Sequence, residues 1–255
     1  MKLTILGCGT STGVPRVGND WGACDPHEER NRRTRVSIMI ETGSGKRVLV
    51  DTSPDLRAQL LANEIDRIDA IFWTHDHADH VHGIDDLRVL RYGRGGPIPG
   101  YASDYTVGRL RRRFDYVFAG QHGYPTIVQL DTLDRLRLVE GMAIGYCQMP
   151  HGPAFSTGYT FEDRGKTIGY ATDFSKITDE MLTLFDGVDT LVVDCLRRTD
   201  HPTHASLPMA LSFREKVRAK RTILSHLDKS MDYRTLCNEV PDDVVVGYDG
   251  LEIEL

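Results

Sequence analysis

The chain's 255 residues carry 31 Lys and Arg against 37 Asp and Glu, a net charge of −6, and 40% hydrophobic residues. That balance fits one large domain with a substantial core and excludes disordered and fibrous chains. The negative charge argues against a general nucleic-acid coat protein, leaving only a local basic patch for such contacts, and no run approaches the roughly 18 apolar residues of a membrane span.

The chain opens with a strand over residues 2–6, and Gly7 follows too early for a signal-peptide core to form. A Gly/Pro-rich loop then runs from Gly7 to about Arg33. Strands at 35–41 and 47–51 flank Gly43-Ser44-Gly45, a hairpin turn. Pro54 suits the first turn of a helix, to which Leu56, Leu60 and Leu61 give one apolar face. Residues 69–74 read as a fully buried strand through Ala70, Ile71, Phe72 and Trp73, and 84–94 and 104–113 as arginine-rich helices. Strands follow near 126–130, 143–149, 157–162 and 167–172. The last third alternates strand and helix, at 190–194, 206–219, 222–225, 231–238 and 244–247. Periodicity alone supports mixed α and β. Strand-rich stretches with interspersed helices point to two sheets packed face to face with helices outside, an αββα four-layer sandwich. No repeat or low-complexity linker divides the chain, so residues 1–255 read as a single domain. Five scattered cysteines form no disulfide framework, which makes a reducing, cytoplasmic home the default. Cys147, Cys195 and Cys237 lie in apolar surroundings and read as core residues.

The stretch Thr74-His75-Asp76-His77-Ala78-Asp79-His80-Val81-His82-Gly83 follows the buried strand directly, where functional loops sit on rigid scaffolds. Residues two apart in an extended strand end point the same way, so His75 and His77 can clamp one ion. Where the chain bends, Asp79 and His80 can face a second. Imidazoles with a carboxylate suit borderline metals such as zinc, manganese or iron. A lone His-x-His would read as a solvated loop; this fuller spacing behind an apolar strand does not. Asp76 has two readings, orienting a ligand imidazole or bonding structurally.

The cluster resembles the signature of the metallo-β-lactamase superfamily. The resemblance implies that fold and further ligands at later strand ends, and the sequence offers each in order: His151 in Met149-Pro150-His151-Gly152, Asp173 in Tyr170-Ala171-Thr172-Asp173, and His226 in Ile223-Leu224-Ser225-His226. Taken alone, a His or Asp at a strand end is more often a capping or surface residue. By resemblance, His75, His77 and His151 hold one metal ion, Asp79, His80 and His226 hold the other, and Asp173 bridges. Asp79 then serves catalysis as well as binding. The implied cofactor is two divalent ions, zinc or manganese, which share a water and lower its pKa toward roughly 7.

Three further stretches are similar to the phosphodiesterase branch of that superfamily. Leu6-Gly7-Cys8-Gly9-Thr10-Ser11-Thr12-Gly13-Val14-Pro15 resembles its Gly-rich opening, where glycine permits close backbone approach. Asn31-Arg32-Arg33-Thr34-Arg35 leads a strand and offers guanidinium groups that either meet a phosphate or stay solvated. His201-Pro202-Thr203-His204-Ala205-Ser206-Leu207 precedes a helix and resembles the branch's additional active-site histidine, placed at His204. Such a histidine contacts the substrate phosphoryl group or protonates a leaving alkoxide; the structural alternative is a helix cap.

Across its length the chain resembles the phosphoribosyl 1,2-cyclic phosphate phosphodiesterase (PhnP-like) branch, down to the closing Gly247-Tyr248-Asp249-Gly250-Leu251-Glu252-Ile253. There is one departure. That branch holds a structural zinc on a cysteine cluster in the first loop and a later histidine. Here the loop offers Cys24 with His27 nearby, and Lys229 falls about where the histidine would be. No structural zinc is therefore expected. The expected partner is a small phosphate-ester or nucleotide substrate, with no membrane, and homodimers are the commonest assembly of soluble oligomers. A nuclease related to tRNA 3′-end nucleases is a second reading, weakened by the lack of a long inserted arm for gripping tRNA. A non-catalytic nucleotide-binding module is a third, opposed by the full ligand set. Arg88, Arg91, Arg94, Arg109, Arg111, Arg112 and Arg113 either guide an anionic substrate or form solvated helix faces.

Overall fold

The computed structural model describes residues 1–121, 123–134 and 136–255. β1 (Lys2–Gly7), β2 (Ser37–Glu41) and β3 (Arg47–Val50) come first, and α1 (Leu56–Ala62) leads to β4 (Ala70–Phe72). The one-turn α2 (Ala78–Val81) and α3 (Leu87–Arg94) precede β5 (Ile98–Ala102), and α4 (Asp104–Arg113) with α5 (Asp115–Ala119) precedes β6 (Val128–Thr132). β7 (Leu138–Val139), β8 (Met142–His151), β9 (Ala154–Asp163) and β10 (Lys166–Ala171) follow as a meander. The chain then alternates α6 (Asp179–Leu184), β11 (Thr190–Asp194), α7 (Leu207–Val217), β12 (Thr222–Ser225), α8 (Tyr233–Cys237) and β13 (Val244–Val246), and ends with β14 (Leu251–Glu254).

Strand order is β14-β1-β2-β3-β4-β5-β6 in one sheet and β13-β12-β11-β10-β9-β8-β7 in the other. Both sheets are mixed. β3 to β6 run parallel in the first and β10 to β13 in the second, with antiparallel neighbours beyond. Alternation of side chains along the strands separates three apolar layers. Val48, Val50, Ala70 and Phe72 meet Tyr159, Phe161, Tyr170 and Val192 between the sheets. Leu49, Ile71 and Trp73 point the other way, onto Leu56, Leu87 and Leu110 of the helices. Leu191 and Val193 likewise turn outward to Met181, Phe185 and Phe213. The result is the αββα sandwich that the sequence suggests, because each sheet is apolar on both faces and needs a cover on each.

Two sequence expectations fail locally. Leu61 does not join the apolar face of α1: the helix turns Leu56, Gln59 and Leu60 inward, and Leu61 is 64% exposed. Cys237 is exposed rather than core, since the single turn of α8 buries only Leu236. Strand β5 also goes unread in the sequence, because Ile98-Pro99-Gly100-Tyr101-Ala102 carries two residues depleted in strands.

The turn after β3 grips the short α2 through paired backbone bonds, Thr52 N–H to the His80 carbonyl (2.8 Å) and Gly83 N–H to the Thr52 carbonyl (2.9 Å). Gly83 packs so closely here that a Cβ would lie 1.9 Å from the Ser53 carbonyl oxygen. The Gly83→Ala substitution must therefore push backbone against backbone. It is expected to lower unfolding free energy by about 1–3 kcal/mol or more, read from the urea midpoint; an unchanged midpoint would show that this contact constrains nothing.

Candidate metal centre

Parallel strands deliver their carboxyl ends to one edge, where ligands bind in open α/β sheets. His75 and His77 follow β4, His151 ends β8, Asp173 follows β10 and His226 follows β12. Three residues at this edge, Asp51 (φ 64°), Asp173 (φ 61°) and His226 (φ 58°), adopt the left-handed conformation that costs a non-glycine residue about 1–2 kcal/mol. Such strain collects where a side chain must be aimed in a direction that the extended backbone does not allow.

The side chains converge. His75, His77, His151 and Asp173 form one group whose ligand atoms all lie within 4.8 Å of one another, and Asp79, His80 and His226 form a second. Asp173 faces both. Its Oδ2 lies 3.7 Å from His75 Nε2 and 3.6 Å from His151 Nε2, and its Oδ1 lies 3.4 Å from His80 Nε2 and 3.6 Å from His226 Nε2. Asp79 Oδ2 stands 3.5 Å from Nε2 of both His80 and His226. The Nε2 atoms of His75, His80 and His226 are buried without a hydrogen-bond partner in the protein. Each such orphan costs about 1–3 kcal/mol unless something takes its lone pair. This donor set, imidazoles around carboxylates with only His77 exposed, could hold metal ions.

Further residues hold the ligands in place, and the sequence reading missed two of them. Asp51, fully buried, accepts from His80 Nδ1 (2.7 Å), from the Thr74 N–H (2.8 Å) and from the Thr74 hydroxyl (2.9 Å). With its proton on Nδ1, His80 presents a bare Nε2 to the site. Thr74 Oγ1 also lies 3.0 Å from His75 Nδ1, and the Thr203 carbonyl accepts from His151 Nδ1 at 2.7 Å. Asp194, fully buried at the end of β11, accepts from His204 Nδ1 and from the Ala205 N–H, both at 3.1 Å. Burial pushes His75 well below the usual imidazole range, and the charge of His80 adds to this. Burial also opposes charge on His226, but Asp173, Asp79 and Asp194 outweigh it and push this group up to about 9. Any cation entering the second group competes with that proton, so its affinity rises with pH.

His204 joins this cluster, its ring stacked 4.5 Å from that of His226. It is not the cap of α7, which is Ser206. Asp76 turns away from the imidazoles: its Oδ2 accepts from Arg109 Nε (2.9 Å) and Arg113 Nη1 (3.2 Å) on α4. The ligand-orienting reading of Asp76 is therefore replaced by a structural one. Other arginines of that group are also engaged, Arg91 with the Thr126 carbonyl, Arg94 with that of Asp69 and Arg111 with that of Leu130. Arg33 is neither solvated nor turned to a phosphate. It is 2% exposed, with Nη2 donating to Asn31 Oδ1 (3.3 Å) and Nη1 4.0 Å from Cys24 Sγ. Lys229, in the loop after β12, pairs with Asp20 of the first loop. The Gly-rich opening does border the site, for the Leu227 N–H beside His226 donates to the Cys8 carbonyl at 2.8 Å.

A sequence model of the β-lactamase superfamily domain matches residues 46–227. Among solved structures, a diphosphatase from the PhnP family is 36% identical with a TM-score of 0.90, over 100% of this chain and 96% of that one. Zn(2+)-bound PqqB from Methylobacterium extorquens shares the fold at 21% identity and a TM-score of 0.80, over 100% of both chains. An octanoyltransferase of Porphyromonas gingivalis is 33% identical over 99% of this chain, which spans only 51% of that protein's length.

If Asp51 sets the tautomer of His80, then Asp51→Asn, which also tolerates the left-handed backbone, should weaken metal affinity about 10–100-fold. Chelator competition on the refilled protein measures this; parent-like affinity in a folded variant would remove Asp51 from the site.

Proposed function

The chain belongs to the β-lactamase superfamily and, within it, to the PhnP family, and from that membership we propose a metal-dependent phosphodiesterase acting on a small cyclic or nucleotide-like phosphate ester. The reading rests first on Asp173, whose two oxygens each face a separate set of imidazoles. That arrangement suits two divalent ions, zinc or manganese: His75, His77 and His151 would hold one, Asp79, His80 and His226 the other, with Asp173 between. Ions bound there would acidify water toward a pKa of roughly 7 and offset negative charge on the phosphoryl oxygens. A phosphorus centre is favoured over a carbonyl because a full-length relative at 36% identity is described as a diphosphatase. All five cysteines are free, which suits a reducing cytoplasm.

His204 belongs by distance to a third group with Asp173 and His226. Its Nδ1, however, lies nearer Asp194 (3.1 Å) than Asp173 (3.8 Å). With that proton held by Asp194, Nε2 is the atom free to give a proton to the departing alkoxide. Asp194 positions the ring, and its bonds to the Ala205 and Phe174 N–H groups fix it in turn. Asp79 Oδ2, 3.5 Å from Nε2 of both His80 and His226, completes the second ligand set.

Elemental analysis should find about two metal ions per chain, and the loaded protein should cleave bis(p-nitrophenyl) phosphate. The His204→Ala variant should lose roughly 10²–10⁴-fold in kcat on an alkyl ester and much less on a p-nitrophenyl ester, whose leaving group needs no proton. Bound metal without any phosphodiester cleavage would overturn the assignment of substrate, and equal losses on both esters would remove the acid role.

A further inference from the structure

The edge that carries the candidate ligands continues sideways past them. β4, β5 and β6 run parallel, so the carboxyl ends of β5 and β6 lie on the same edge as His75. In the facing sheet, His151 closes β8 and pairs with Ala154, which opens β9. Between these two rims lies a groove of about 440 Å³, lined by Tyr105, Tyr146 and Phe155, with Asp104 and Gln148 among its polar residues. Tyr105 is 64% exposed and Phe155 51%, a large apolar exposure for two rings bordering one groove.

Two connections tie the groove to the metal centre. The Thr157 N–H, from its floor, donates to the Thr74 carbonyl at 2.9 Å, one residue before His75. Tyr105 shares α4 with Arg109, which bonds Asp76 between His75 and His77. None of the candidate ligands, nor His204, lines the groove itself. A bound molecule can therefore fill it without displacing the hydrolytic groups.

We infer that this groove is the subsite for a nucleobase, so that the substrate is a nucleoside-bearing phosphate ester; this rests on the phosphodiesterase reading and specifies its substrate class. The chemistry of the walls favours a flat neutral ring. Exposed aromatic faces stack any base, whatever its identity, and the groove falls within the size of small-molecule sites. The Gln148 amide and the Asp104 carboxylate supply a donor, acceptors and no positive charge for the ring's edge. Asp104 and Asp134, both lining the groove, repel a phosphate, which leaves the phosphoryl group to the metal centre and the base to the groove.

The test compares two diesters with the same leaving group, thymidine 5′-(p-nitrophenyl) phosphate and methyl p-nitrophenyl phosphate, on the metal-loaded protein. Tyr105→Ala combined with Phe155→Ala should cut kcat/KM on the thymidine ester about 5- to 150-fold, the worth of one stacked base, and leave the methyl ester within twofold. Tyr105→Phe alone should retain parent activity. Titration calorimetry with thymidine 5′-monophosphate should show the same loss of affinity in the double variant. Equal changes on both esters, or unaltered nucleotide affinity, would overturn the base subsite while leaving the phosphodiesterase reading in place. If the parent cleaves neither ester yet binds the nucleotide through these rings, the catalytic reading fails and the subsite stands.

Discussion

Burying the Asp173 carboxylate at 1% exposure, with four imidazole nitrogens 3.4–3.7 Å from its two oxygens, creates a cluster in which the Nε2 atoms of His75, His80 and His226 have no hydrogen-bond partner in the protein. Imidazole nitrogens bearing lone pairs repel one another, and carboxylates side by side do the same. Only positive charge relieves both at once, either as protons on His80 and His226 or as metal ions. Burial drives His75 and His151 toward neutrality, while the neighbouring carboxylates hold the proton on His226. A cation held among these packed, desolvated groups would offset that repulsion, and its binding would become part of the folding free energy.

The backbone carries the cost of this arrangement. Asp51, Asp173 and His226 are left-handed at three strand ends, and each persists because neighbours over-determine it. The Ser156 hydroxyl donates to the Asp173 carbonyl at 2.8 Å, and the Thr172 hydroxyl donates to its carboxylate at 2.7 Å. The Tyr159 hydroxyl, from the opposite sheet, holds the Trp73 carbonyl at 2.7 Å. These bonds cross between the sheets or between adjacent strand ends, so the edge is rigid only because the apolar layer beneath it is formed. Phe72 sits at the centre of that layer, with its ring 5.3 Å from those of both Tyr159 and Phe161.

Residues that act through covalent spacing are legible in the sequence; residues that act through space are not. His75, His77, Asp79 and His80 lie in one short segment and stand out by their spacing, whereas His151, Asp173 and His226 each end an apolar run and are picked out only by the family resemblance. Asp51 and Asp194 also end strands, yet nothing in Val50-Asp51-Thr52 or Asp194-Cys195 distinguishes a buried carboxylate that bonds a histidine from an ordinary strand-end acid. The signal would have been their parallel placement, an acid closing each strand that neighbours a ligand-bearing one. Arg33 fails for the opposite reason, because a charged residue in a polar loop looks solvated until the loop folds back on Asp228 and Asn31. The sheets were readable because both faces of each are covered, which yields continuous apolar strands. β5, β7 and β14 were not, being short, interrupted by proline and glycine, or alternating Leu-Glu-Ile-Glu at an edge.

The arginines of α4 show how charge that looks like a substrate guide can instead be scaffolding. Arg109 and Arg113 both converge on Asp76, and Arg113 also reaches His82 Nε2 at 2.6 Å. The His75-Asp76-His77 segment and the residue after α2 are thus held by one helix. The same helix begins at the groove, where Ser103 caps its first turn and Tyr105 faces outward. A ten-residue helix is about 15 Å long, so this one spans from the groove to the residues that bond Asp76 and His82. The rim of the groove and the segment between His75 and His77 are thus held by a single element rather than by two independent loops.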